Sequence, residues 1–124
     1  MEFTKNYLFL ISLITLFLGG FLVLAPNQVI NLFFNDQTVA TEFFARITGS
    51  TLVGYSTLNY LASKSNMAKL AGIAVYGNLS TLAAAAVITI TYISRFDSFG
   101  WLIISQHLFF ASGFVICLYK LSSK

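Results

Sequence analysis

Long apolar segments separated by short polar stretches dominate the pattern of the chain. Four of them cover residues 7–24, 43–61, 70–93 and 99–119. A helix of about 20 apolar residues spans the hydrocarbon core of a bilayer, so each segment is long enough to cross a membrane. The pattern therefore predicts an all-α membrane protein: one domain over residues 1–124, with four transmembrane helices in an antiparallel bundle.

The first segment competes with a cleavable signal peptide, and two features favour a retained helix. Its apolar run is longer than the roughly 7–15 residues of a signal-peptide core. The one suitable cleavage site, after Ala25, would place Pro26 directly behind the cut bond. We therefore expect this segment to remain in the protein as its first helix.

A short amphipathic segment, PNQVINLFF, begins at Pro26 between the first two apolar segments. Proline ends one helix or opens another because it has no backbone N–H to donate. The segment is too short to span a membrane, and its amides and apolar side chains fall on opposite sides. It predicts a turn or two of helix lying in the interface and ending near Asn35, Asp36 and Gln37. A lid or partner-docking element is the alternative.

The second apolar segment differs from the others because it holds a charge, Arg46, together with small residues. Gly49, Ser50 and Gly54 would let neighbouring helices approach closely, so we expect them at helix contacts. Glu42 lies four residues before Arg46, and one hypothesis pairs these two side chains at the membrane boundary. The alternative directs Arg46 into the bundle, as an anchor for an anionic group or a polar network.

The third and fourth segments carry the other polar side chains of interest. Asn78, Thr81 and Ala85 fall within one narrow arc of the third helix and predict a helix-packing seam, with a lined solute path as the alternative. Gln106 and His107 lie in the fourth segment, at a depth where an unpaired polar group is costly. If Arg46 points inward, it could join Gln106 and His107 in a polar pocket beneath the interfacial segment.

Composition and charge agree with a membrane protein. The chain is 57% hydrophobic and 9% charged, against about 25% charged residues in soluble domains. Four crossings would gather five of the seven basic residues on one side, namely Lys5, Lys64, Lys69, Lys120 and Lys124. Positive charge marks the cytoplasmic side, so both termini are expected in the cytoplasm. The net charge of +3 is then a matter of topology and does not imply nucleic acid.

Most chemistries lack their residues in this sequence. One histidine and one cysteine cannot supply a bis-histidine haem, a zinc site or a CxxC redox pair. No acidic residue lies within a helix near His107, so paired carboxylates and a Ser/His/Asp arrangement are missing. Small multidrug transporters carry a glutamate in their first helix, where this chain has Ser12 and Thr15. We expect no catalytic residue, cofactor or metal, and hence no enzyme.

Several residues together resemble a known group of proteins. They are Ala25-Pro26 after a glycine-containing first helix, Leu32-Phe33, Ala45-Arg46 followed by Gly49 and Gly54, Asn59 with Ala62, and His107 in the fourth helix. The pattern is similar to that of a widespread group of small bacterial four-helix membrane proteins with no assigned activity, which implies a bacterial cytoplasmic membrane. In layout the chain is more distantly similar to fungal ergosterol-biosynthesis scaffold proteins, a resemblance that implies tethering and not catalysis.

Two functions follow from the sequence. The favoured one is a scaffold or accessory subunit that packs against a membrane-protein partner, or against itself as a homo-oligomer, through its small-residue faces. The alternative is a binder or carrier of a small lipid-like or anionic molecule near Arg46, Gln106 and His107. In both cases the lipid bilayer surrounds the protein.

Overall fold

The fold is known from a computed structural model that describes residues 1–32, 38–91 and 98–122, apart from the side chains of 98–100 and 103. These described residues form five helices: α1 (Glu2–Leu24), α2 (Pro26–Ile30), α3 (Val39–Lys64), α4 (Ala68–Thr91) and α5 (Ser98–Ser122). The predicted all-α class is confirmed. Among the described residues, three helices are long and apolar enough to cross a membrane: α1, α4 and the part of α5 from Ile104 to Ser122.

α3 extends beyond the apolar segment 43–61 at both ends. α3 begins after a capping box: the Thr38 hydroxyl accepts from the Thr41 N–H at 3.1 Å, and the Thr41 hydroxyl accepts from the Thr38 N–H at 2.9 Å. Hydroxyl-bearing residues and the charges of Glu42, Arg46 and Lys64 make α3 more polar than α1, α4 and α5.

The short helix predicted after Pro26 is present as α2, with the proline in its first turn. Some predicted features lie outside the described residues. They are the end of this segment from Phe33 to Gln37, the last two residues of the predicted third segment, 92–93, and the terminal Lys124.

α1 and α3 form the closest helix pair. A Cβ added to Gly19 would lie 2.7 Å from the carbonyl oxygen of Gly49, so the two backbones touch where the helices cross. Toward the start of α1, the Ser56 hydroxyl donates to the Ser12 carbonyl at 2.7 Å, and Lys5 donates to the Asn66 side chain at 2.6 Å. Residue numbers therefore rise along α1 as they fall along α3.

A hydrophobic core joins the four long helices at the end where α1 begins. It contains Leu8, Ile11, Ala62, Ala71, Ala74, Val75, Phe114 and Cys117. At this end Tyr7 fits against Gly113 on α5, where its hydroxyl donates to the Phe110 carbonyl at 2.9 Å. Its ring meets that of Phe114 edge to face, with 5.0 Å between the ring centroids. Nearer to α2, the pair of α1 and α3 and the pair of α4 and α5 enclose a cavity.

Candidate binding cavity

The cavity has a volume of about 650 Å³, and all five helices contribute to its wall. Small-molecule sites in proteins are typically about 300–1,000 Å³, so its size is that of a ligand site and not of a packing defect. Ile11 and Phe114 lie at the end next to the core, and Val29 and Ile30 of α2 lie at the other end. The short helix therefore borders the cavity on the side away from the core.

Most of the wall is apolar. Each long helix contributes a face with helical spacing, including Leu18 and Leu22 of α1, Leu52 of α3, Leu82 of α4 and Phe110 of α5. Such a surface favours the hydrocarbon part of a ligand, because apolar area buried against it is removed from water or from less well packed surroundings. The polar atoms of the wall are few, and they decide which head group could lie inside.

Two polar pairs join α3 to α4 along one side of the cavity. The Tyr55 and Thr81 hydroxyls lie 2.7 Å apart, and Thr81 also donates to the Gly77 carbonyl at 3.0 Å. Because Thr81 has a single hydroxyl proton, Tyr55 is the donor within the pair. Next to the core, Asn78 and Asn59 are both buried and exchange amide hydrogen bonds of 2.7 and 3.2 Å. Both pairs are satisfied without a ligand.

On α5, Gln106 and His107 both contribute to the wall of the cavity. On α3, Thr48 does so as well. The hydrogen bonds of the described residues include none to the Gln106 amide or the Thr48 hydroxyl, whereas the Thr15 hydroxyl of α1 donates to the Ile11 carbonyl at 2.8 Å. The hydrogen-bonding groups still available are therefore the Thr48 hydroxyl on α3 and the Gln106 amide on α5.

Arg46 lies away from this cavity. Its guanidinium contacts Glu42, with 2.8 Å from Nη2 to Oε1, and it also donates to the Val23 carbonyl near the end of α1. The last carbonyls of a helix have no partner within it and carry partial negative charge, so a cation is well placed there. Glu42 precedes the crossing predicted over 43–61, and the hydrogen bond from Arg46 lowers the pKa of its carboxyl. Of the two hypotheses for Arg46, the pairing with Glu42 is the one observed.

The structure thus brings together Gln106 and His107, but not Arg46, of the three residues expected around one pocket. The residues expected at helix contacts lie in three different surroundings. Gly49 lies in the contact with α1, whereas Ser50 and Gly54 are exposed. Asn78, Thr81 and Ala85, predicted to form a packing seam, line the cavity.

Sequence reasoning missed the contributions of Thr48 and Tyr55 from α3 and of Thr15 from α1. A signal was available, because Thr48, Leu52 and Tyr55 follow the i, i+4, i+7 spacing of one helix face. Within the described parts of the chain, no three His, Cys, Asp or Glu side chains lie close enough together to hold a metal ion.

Comparison of the chain with models of known protein families, with curated proteins and with solved structures gave no match.

Proposed function

We propose that this chain is a multi-pass membrane protein whose four long helices cross the bilayer and hold a lipid-like small molecule between them. The observation that carries the proposal is the cavity of about 650 Å³, bounded by every helix, with apolar walls and a few hydrogen-bonding groups. The molecule is held and released, or presented to another membrane protein, without chemical change.

Three crossings rest on the apolar lengths of α1, α4 and α5. The fourth, α3, is supported by its 26 residues and by its contact with α1, which extends from Ser56 beside Ser12 to Arg46 beside Val23. A helix of that length reaches about 39 Å, more than the hydrocarbon core. Large apolar side chains of several helices also point away from the bundle, among them Phe17 and Phe109, each 71% exposed. Lipid tails are the surroundings that such a surface fits.

The orientation is supported by where the lysines lie. Lys5 bonds Asn66, Lys64 lies over the rings of Phe9 and Tyr60, and Lys120 lies over Phe3, so these three cations share the end of the bundle where α1 begins. The side with the basic residues faces the cytoplasm in membrane proteins. We place both termini there, in a bacterial cytoplasmic membrane, with the α2 end on the opposite side.

The scaffold function expected from the sequence rested on small-residue faces. Gly49 is occupied by α1 within the chain, and the seam of Asn78, Thr81 and Ala85 borders a cavity. These residues therefore support ligand binding better than they support a contact with a second protein. The exposed Ser50 and Gly54 alone do not identify a partner.

The test fills the cavity. Ala85 lines it, whereas its neighbour Ala84 is exposed on the same helix, so Ala85→Phe and Ala84→Phe form a matched pair. The protein is purified in nanodiscs, and the small molecules that remain bound are identified by native mass spectrometry. We expect a bound lipid-like molecule in the unchanged protein and in Ala84→Phe, and its loss in Ala85→Phe. Equal retention by the two variants, or no bound molecule in any of them, would refute the proposal.

A further inference from the structure

We infer that the ligand of this cavity is an uncharged single-chain amphiphile whose head group hydrogen-bonds to Gln106, with Thr48 as the available group on α3. The inference rests on the proposed function and names the class of molecule that the site takes. Three features of the wall carry it: the absence of a fixed charge, the position of the free hydrogen-bonding groups, and the volume.

The first feature concerns charge. Among the described residues, none that lines the cavity is a Lys, Arg, Asp or Glu. The nearest candidate from the sequence, Arg46, is directed to Glu42 and to the Val23 carbonyl. His107, which also lines the cavity, already has an interaction with another group, so a charged head group would lose its water without gaining a Lys, Arg, Asp or Glu counter-charge, at a cost of several kcal/mol per ion. A neutral head group avoids this cost, and the anionic ligand considered from the sequence is therefore disfavoured.

The second feature is which polar groups remain available. Tyr55, Thr81 and Asn78 are engaged between α3 and α4, and Thr15 is engaged within α1. The Gln106 side chain is exposed on the bundle, lines the cavity, and makes no hydrogen bond to any described residue through its amide. In a membrane-crossing helix an exposed amide meets hydrocarbon and not water, where the lack of a partner is costly, so a ligand that supplies one gains from it. An amide both donates and accepts, and a hydroxyl head group is its simplest complement.

The third feature is size. A water molecule occupies about 30 Å³ in the liquid, and a methylene group is of similar size. The cavity of about 650 Å³ therefore has room for about 20 non-hydrogen atoms with their hydrogens. One hydrocarbon chain with a small head fills this space. A two-chain phospholipid exceeds this volume and carries a charged phosphate for which the wall has no Lys or Arg, so the bulk lipid of the membrane fits the site less well. A long-chain alcohol has the size, the neutrality and the hydroxyl that the wall favours.

The test uses hexadecanol as the neutral probe. The protein is placed in phosphatidylcholine nanodiscs, because detergents are themselves single-chain amphiphiles, and is labelled with a photoreactive diazirine analogue of hexadecanol. Unlabelled hexadecanol, hexadecyl sulfate and hexadecyltrimethylammonium then compete, and the labelled residues are mapped by mass spectrometry. We expect labelling of residues that line the cavity, displacement by hexadecanol, and at least about tenfold weaker displacement by either charged competitor.

Variants locate the head group. Gln106→Leu removes one net hydrogen bond and is expected to weaken hexadecanol binding about fivefold. Ser105→Ala is the matched control, because Ser105 is exposed on the same helix and bonds the Trp101 carbonyl of its own turn. Unchanged binding by Gln106→Leu would overturn the assignment of the head group to this residue.

The outcomes separate the two proposals. Equal displacement by hexadecyl sulfate or by the ammonium compound would overturn the inference of a neutral ligand while leaving a lipid-binding cavity in place. Absence of labelling at the cavity, with the unchanged protein no different from Ala85→Phe, would overturn both.

Discussion

Gly19 of α1 and Gly49 of α3 lie against each other so closely that a Cβ on either would come within 2.7 Å of the other's carbonyl oxygen. Gly54, in the same helix as Gly49, has no atom within 4 Å of such a Cβ. The two positions in α3 thus separate the effect of a methyl group on helix propensity from its effect on packing.

We expect Gly49→Ala to lower the free energy of unfolding by about 1–3 kcal/mol, because the backbones must move apart to admit the methyl group. Gly54→Ala should leave it unchanged or raise it slightly, since alanine is the better helix former. The measurement is the unfolding midpoint in mild detergent, followed by circular dichroism. If both variants unfold at the same midpoint, the close contact of α1 and α3 is refuted.

The buried pair of Asn59 and Asn78 gives a second prediction. Asn59→Leu leaves Asn78 with its bond to the Ala74 carbonyl but without its partner across the helices, and should cost about 1–3 kcal/mol of stability. The double variant, with Leu at both positions, removes both polar groups and should recover part of this loss. The unfolding midpoints of both single variants and of the double variant, measured in the same way, show whether the two amides interact. A double variant that loses the sum of the two single effects would show that the amides do not interact.

Tyr7 and Gly113 give a third prediction. A methyl group at position 113 would overlap the Tyr7 ring, whose hydroxyl bonds the Phe110 carbonyl. We expect Gly113→Ala to displace the ring and to destabilise the protein by about 1–3 kcal/mol through lost packing and a lost hydrogen bond. Gly72→Ala is the control, because nothing lies within 4 Å of its added Cβ. Unfolding midpoints that do not differ between the two variants would contradict this packing.

The fourth prediction separates Arg46 from ligand binding. Because the guanidinium contacts Glu42 and the end of α1, and does not line the cavity, Arg46→Gln should leave labelling by the hexadecanol probe unchanged. It should lower the unfolding midpoint through loss of the cation at the helix end. Glu42→Gln is the companion variant and should also bind the probe normally. Loss of labelling in Arg46→Gln, with the fold retained, would place this residue in the binding site after all.

Features that depend on interactions between residues close together in the chain could be predicted from the sequence. The apolar lengths predicted the helical class, Pro26 predicted the start of a short helix, and the four-residue spacing of Glu42 and Arg46 allowed their pairing. Each of these depends on residues close in the chain. The contact of Arg46 with the Val23 carbonyl could not be predicted, because it depends on the relative position of α1 and α3 along their axes.

The cavity itself was beyond sequence reasoning for a related reason. A helix face of small and weakly polar residues has the same periodicity whether it meets another helix or a gap. The sequence therefore predicts a packing seam of Asn78, Thr81 and Ala85, whereas in the structure these residues line the cavity. The core beside the cavity includes the packing of Tyr7 against Phe114. That packing involves residues more than a hundred positions apart in the chain.

The pairing of α1 with α3 has a consequence for biosynthesis. Both partners lie within the first 64 residues, so their hairpin can assemble while the ribosome is still making α4 and α5. In the proposed arrangement Thr15 and Thr48 would face lipid until those helices arrive, since α4 and α5 supply the rest of the cavity wall. If the cavity holds a lipid-like molecule as proposed, membrane insertion would be the first opportunity to load it.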